Sequence, residues 1–248
     1  MIKFFNKLRR KLIEEKRISA YFSYAVGEVF LVVIGILIAL QVNNYNENQK
    51  LQNSASEHLL VVKEDLQKDR QVLVSFRSET EIQIEACDRI IDYFKGVRPR
   101  YMDLSSDLVQ ILLEQNFKNS DNGISLLLNN GEISILDQEL QTLISEWTSQ
   151  AEFIVDREQI SNNFIQRNYE PYLIGNYSFI MGKGNSNPMF AELYKNDTRE
   201  ALQLSQLDFR EDLALEKYVF GRRYQCIEQF NAYDKGIAIM DSLLEKIE

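Results

Sequence analysis

Apolar residues recur at alternating three- and four-residue spacings along most of this chain, the pattern of helices that bury one face. From Leu59 the stripe reads Leu59, Val62, Leu66, Asp69, Leu73, Phe76, Thr80, Gln83, Cys87, Ile90 and Phe94, and Gly96 and Pro99 stop it. Asp69, Thr80 and Gln83 dilute this seam, so a partner helix must satisfy or solvate them. A second helix is predicted over Asp103–Phe117, capped by Asp103 or Ser105. A turn at Asp121-Asn122-Gly123 and a brief apolar helix to Asn130-Gly131 follow. A long helix from Ser134 to Asn168 then presents Leu136, Leu140, Leu143, Trp147, Ala151 and Ile154 on one face. Pro171 and Gly182–Pro188 read as loop, and Pro188–Gln203 as helix. A last helix from Ser205 carries Cys226, Phe230, Tyr233, Ile237, Met240, Leu244 and Ile247.

The region before Leu59 is different. Tyr21–Val42 holds one charge, Glu28, and an uninterrupted apolar run at Val29–Leu40. Those 22 residues make a helix of about 33 Å at a rise of about 1.5 Å per residue, against a bilayer core of about 30 Å. The rival reading is a cleaved signal peptide, but no small-x-small pair follows the run. The expected fold is therefore mainly α: a single N-terminal transmembrane helix continuing into an elongated antiparallel helical bundle. Residues 1–20 form a basic amphipathic segment, 21–42 the span and 43–248 the exterior helical domain.

Charge sets the orientation and narrows the partners. The 248 residues carry 28 Lys+Arg and 37 Asp+Glu, a net charge of -9, which argues against nucleic acid. Seven of the cations lie in residues 1–20, giving that stretch +5, and only Lys50 follows the span within twenty residues. The positive-inside rule then leaves the N-terminus cytoplasmic and residues 43–248 outside. One histidine and two cysteines leave no basis for a zinc site, a histidine triad or an iron–sulfur cluster. No cofactor and no metal are expected.

The stretch from Tyr24, YAVGEVFLVVIGILIALQVNNYNE, resembles the opening of a family of Bacteroidota membrane proteins, the domain-of-unknown-function family numbered 6090. The shared features are a basic amphipathic start, a span beginning with Gly-Glu and an Asn-rich exit. Asn122–Leu140 is similar to that family's internal segment, more loosely. The resemblance implies a Gram-negative inner membrane and a periplasmic domain. It supplies no activity, substrate or catalytic residue.

Few residues carry candidate chemistry. Glu28 shares a helix face with Gly35 and Ala39, a small-xxx-small pair that permits close helix approach. It reads as a carboxylate at an oligomer contact or snorkelling to the interface. The alternative is an ion- or proton-handling group in a transmembrane bundle. His58 has no second histidine or nearby cysteine and reads as a solvated helix residue. Gly182-Lys183-Gly184 lacks the spacing and the Ser/Thr of a P-loop. Cys87 and Cys226 sit on the seams of the first and last exterior helices, and an oxidising compartment would bridge them. In that register Thr80 faces Tyr233 and Phe76 faces Ile237. The other reading is two buried thiols. No catalytic constellation is found. The expected protein is a membrane-anchored, self-associating scaffold or binding module. Its expected partners are the bilayer, copies of itself and another membrane protein; the alternative is an ion-conducting or ion-coupled membrane component in which Glu28 faces a pore or a partner.

Overall fold

The computed structural model describes residues 18–99, 104–177, 192–198 and 210–247. The basic residues before Ile18 and the Gly182–Pro188 stretch lie outside them. The chain divides into two compact units, residues 1–56 and 57–248. One helix, α1 (Ile18–Phe94), runs through the predicted span and the whole predicted seam without a break. In the first unit its side chains from Val29 to Lys50 are exposed.

The second unit holds the remaining elements: α2 (Ser105–Gln110), α3 (Asn122–Asn129), a 3-10 turn (Glu132–Ile135), α4 (Gln138–Phe164), a π-helical turn (Ile165–Tyr169), α5 (Glu170–Tyr177) and α6 (Leu213–Ile247). No strand occurs among the described residues. Within this unit α6 runs antiparallel to α1, with Arg70–Asp241, Arg77–Asp234 and Arg223–Asp88 ion pairs at 2.5, 2.8 and 2.6 Å. It runs antiparallel to α4 as well, through Gln150 Nε2 donating to the Ala232 carbonyl, Arg157–Glu228 and Lys246–Glu139. Three long helices thus make the bundle, and Ile154, Leu73 and Trp147 close over Gly236 at its centre.

The α1 seam matches expectation closely: eight of its eleven positions are buried, and Leu59, Phe76 and Phe94 are half-buried. The α6 seam is turned. Cys226, Tyr233 and Met240 are buried as expected, but Arg222, Gln229, Gly236 and Leu243 are buried in line with them, beside Leu215, Val219, Ala232 and Ile239. Phe230, Ile237, Leu244 and Ile247 flank this face half-buried. The pairing shifts accordingly. Tyr233 packs on Phe76, ring centroids 6.0 Å apart, while its hydroxyl and that of Thr80 both donate to Gln115 Oε1. A stripe drawn through apolar residues alone misses a face whose centre is an arginine, a glutamine and a glycine.

Several expected boundaries fail. The helix over Asp103–Phe117 ends at Gln110, and 113–121 is irregular, because side chains of neighbouring helices take its backbone groups. Leu104, not Ser105, is the N-cap of α2; Asp103 lies outside the described residues. Asp137 caps α4 instead of a start at Ser134, its Oδ1 accepting from Leu140 N at 3.0 Å. Pro171 does not end the helix, since it stands in the first turn of α5, directly after the π turn that resets the hydrogen-bond phase. At the far end α6 starts at Leu213, not Ser205, because Asp212 Oδ1 accepts from Ala214 N and Leu215 N. The helix expected over Pro188–Gln203 is interrupted: within 192–198 the chain turns at 194–196.

Gly123, expected as a turn residue, is instead the first-turn residue of α3 where that helix meets α1, and an added Cβ there would collide with the Val62 backbone. Gly123→Ala should lower stability by about 1–3 kcal/mol through overpacking. Gly175→Ala, where a Cβ meets nothing within 4 Å, should be neutral or gain up to ~1 kcal/mol. Thermal unfolding of the two variants in lipid nanodiscs checks the contrast.

Candidate functional site

The distinctive feature of the second unit is a strap, residues 113–121, that lies against the bundle without regular structure yet with Gln115 and Phe117 buried. Extended backbone inside a protein leaves N–H and C=O groups that must find partners. Here the partners are side chains. Gln83 Nε2 donates to the Leu113 carbonyl at 2.9 Å. Asn162 Nδ2 donates to the Gln115 carbonyl at 2.8 Å. Phe117 N donates to Glu158 Oε2 at 2.5 Å, and Ser120 N to Asp69 Oδ2 at 2.8 Å. Gly123 N, just beyond, donates to Asp65 Oδ2 at 3.0 Å. The strap runs antiparallel to α1. From Leu113 to Gly123 it covers about 33 Å at an extended rise of ~3.3 Å, matching the ~32 Å of helix from Gln83 back to Val62.

Arg222 anchors the upstream end of the strap from α6. Its Nε donates to the Ile111 carbonyl at 2.9 Å, and Nη2 to Gln83 Oε1 and the Leu113 carbonyl at 2.9 and 3.3 Å. Its Nη1 donates to Ser161 Oγ and Gln229 Oε1 at 2.5 and 3.3 Å. All these acceptors are neutral, so amide, carbonyl and hydroxyl dipoles solvate a guanidinium that is 1% exposed. Further along, Tyr233 Oη donates to Glu158 Oε1 at 2.7 Å. Burial pushes the Glu158 carboxyl above its usual range, and the bonds from Tyr233 and Phe117 offset only part of that. Asp69 is raised likewise by burial, against its bond from Ser120. At the foot of α6 the balance reverses. Burial raises the Asp212 carboxyl, but bonds from Tyr172, Tyr177 and two backbone amides outweigh it and hold it below the usual range.

The residues singled out from sequence fall into two sets that the structure does not bring together. Glu28, Gly35 and Ala39 belong to the first unit. Gly35 and Ala39 are exposed, Glu28 is half-buried, and a Cβ at Gly35 would meet nothing within 4 Å. Cys87 and Cys226 belong to the second unit, where both are fully buried and stand as free thiols rather than a bridge. The neighbouring Cys226 thiol together with burial pushes the Cys87 thiol well above its usual range. His58 is not the solvated residue expected. Its Nδ1 lies 2.6 Å from Oε2 of the buried Glu132, against the 3-10 turn. Trp147 is a core residue, edge-on to Phe117.

Sequence reading missed Arg222, Glu158, Asn162 and Gln229. Their signal was a row of polar residues, Glu158, Ser161, Asn162 on α4 and Arg222, Gln229 on α6, continuing apolar seams at seam spacing. Among the described residues no group of three or more His, Cys, Asp or Glu is placed to hold a metal ion. No family model, curated protein or solved structure matches the chain.

Glu158 and Asp69 hold their protons more tightly folded than unfolded. The stability this gives is complete below the ordinary carboxyl values and is lost as pH rises through the folded ones. Glu158→Gln removes one of the two titrations. Its melting temperature relative to wild type should therefore climb as pH rises above about 4.5, the ordinary glutamate value. Melting curves from pH 4 to pH 8 in nanodiscs check the sign.

Proposed function

We propose that this protein is a membrane-anchored helical scaffold or binding module, held by residues 21–42 with the second unit outside the cytoplasm, and that it self-associates through the span. One observation carries the reading. The described residues contain a single helix long and apolar enough to cross a membrane, and the window that qualifies it is 0% buried by the rest of the protein. A core helix would be covered; this one needs another apolar environment. The cation excess before the span supports an N-in orientation. The resemblance at Tyr24 supports a Gram-negative inner membrane. The interior polar groups support a structural rather than catalytic role, because the strap already occupies Glu158, Asp69, Gln83 and Arg222.

Topology is tested by a reporter active only outside the cytoplasm. It should work when fused after Glu248 and be silent when fused before Met1; the reverse pattern overturns the reading. For self-association, Gly35→Ile should weaken a membrane-helix dimerisation signal by about 1–2 kcal/mol, whereas Leu37→Ile should leave it unchanged. Equal effects would make the small residues incidental.

Placement outside the cytoplasm also exposes the cysteine pair to oxidation. There the two neighbouring thiols pass two electrons and two protons to a thiol-oxidising disulfide of that compartment and close a disulfide around a loop of about 140 residues, stabilising by about 4–5 kcal/mol in the chain-entropy model. Alkylation of the denatured chain purified from membranes, counted by mass before and after reduction, should find no free thiol before and two after. Two free thiols before reduction overturn the bridge.

A further inference from the structure

The outer face of α4 carries an unassigned hollow. Between α4 and the strap lies a groove of about 550 Å³, walled by Asn116, Gln159, Asn162, Asn163 and Gln166, with Glu158 also on its lining and Lys118 beside it. A second hollow of about 250 Å³ adjoins it, sharing Gln159 and Asn163 and adding Phe153, Asp156, Arg157 and Ile160. Five carboxamides in one groove is an unusual lining. Three of them already bond within the fold: Asn162 Nδ2 donates to Asn116 Oδ1 as well as to the strap, and Gln166 Nε2 donates to Glu114.

Asn162 supplies the observation that points to a ligand. It is 8% exposed, its amide nitrogen is fully used, and its Oδ1 is buried with no hydrogen-bond partner. In the adjoining hollow the Arg157 Nε is a buried donor equally without a partner. An orphaned buried acceptor and an orphaned buried donor each cost stability until something bonds them. Both lie next to the shared pair Gln159 and Asn163.

We infer that these two hollows form a binding site for an uncharged disaccharide. Carboxamides offer a donor and an acceptor each, which suits ring hydroxyls that do both. Besides the carboxamides the lining holds two cations, Lys118 and Arg157, and two anions, Glu158 and Asp156, which balance, with no cluster of cations to take a phosphate. Phe153, 46% exposed with the Arg157 guanidinium over its ring at 5.6 Å from the centroid, adds apolar surface at the edge of the site for the C–H groups of one sugar ring. The larger hollow lies within the size range of small-molecule sites, about 300–1,000 Å³. The site deepens the binding-module reading by naming a ligand class. It depends on the fold of the second unit and not on the orientation of the span.

The test is calorimetric titration of the full chain in nanodiscs assembled without sugar-headed detergent. Cellobiose, maltose and N,N′-diacetylchitobiose are the probes, with trialanine as the peptide comparison. At least one disaccharide should titrate to one site per chain with a Kd of about 1 mM or tighter. Gln159→Ala/Asn163→Ala should weaken it at least tenfold with an unchanged melting temperature, because neither side chain holds the core. Phe153→Ala should weaken it as well. Titration by none of the three sugars, equal binding to the double variant, or binding of trialanine alone overturns the inference. The topology reporter is read separately, so failure of the anchor and failure of the site are distinct results.

Discussion

The second unit depends on one requirement: a stretch of extended backbone against the bundle must have its N–H and C=O groups bonded. Three long helices could have closed on an apolar core alone. Instead residues 113–121 lie along them, and each helix contributes polar side chains where apolar ones would otherwise sit. Gln83 and Asp69 come from α1, Glu158 and Asn162 from α4, and Arg222 from α6. An unmade bond to a buried group costs more than a made one contributes. The strap therefore fixes the register of all three helices more sharply than their apolar contacts do.

Arg222 is the extreme case. A buried guanidinium usually meets a carboxylate. This one meets the carbonyls of Ile111 and Leu113, two glutamine oxygens and a serine hydroxyl. Its five N–H groups form a rigid fork, so the carbonyls it bonds cannot slide by a residue without losing it. The lower part of the unit is held differently, by an apolar cluster that includes Ile90, Tyr93, Leu108, Tyr169 and Val219. Cys87 belongs to that cluster, and Cys226, 3.5 Å from Gln83 Oε1, stands at its junction with the polar layer.

Much of this was legible in the chain and some was not. The α1 seam could be read to the residue because its period is long and unbroken, polar members included. Those polar members were the visible half of the design, since Asp69, Thr80 and Gln83 announced that something must satisfy them. What does so is chiefly the strap, with Arg222 of α6 taking the Gln83 oxygen, and Asp103–Phe117 has a helix-compatible pattern that conceals it. Local propensity over Leu113–Phe117 yields to long-range hydrogen bonds that no window of sequence contains. The α6 face was misplaced for the same reason, as Arg222 and Gln229 count as exterior on any apolar scale. Of the groove, the sequence showed only scattered Asn and Gln; their convergence needs α4 and the strap side by side.

The wiring of the strap also orders events in time. Synthesis delivers α1 first and α6 more than a hundred residues later, and Arg222 bonds Gln83 across 139 positions. Until α6 emerges, the carbonyls of Ile111 and Leu113 lack their arginine, Glu158 lacks its tyrosine, and the seam of α1 has no antiparallel cover. Local helices can form early, but the native arrangement of 57–177 waits for 213–247. The nascent chain consequently carries an uncovered amphipathic face for most of its production, and truncation within α6 would leave a sticky, unsettled intermediate rather than a smaller working domain.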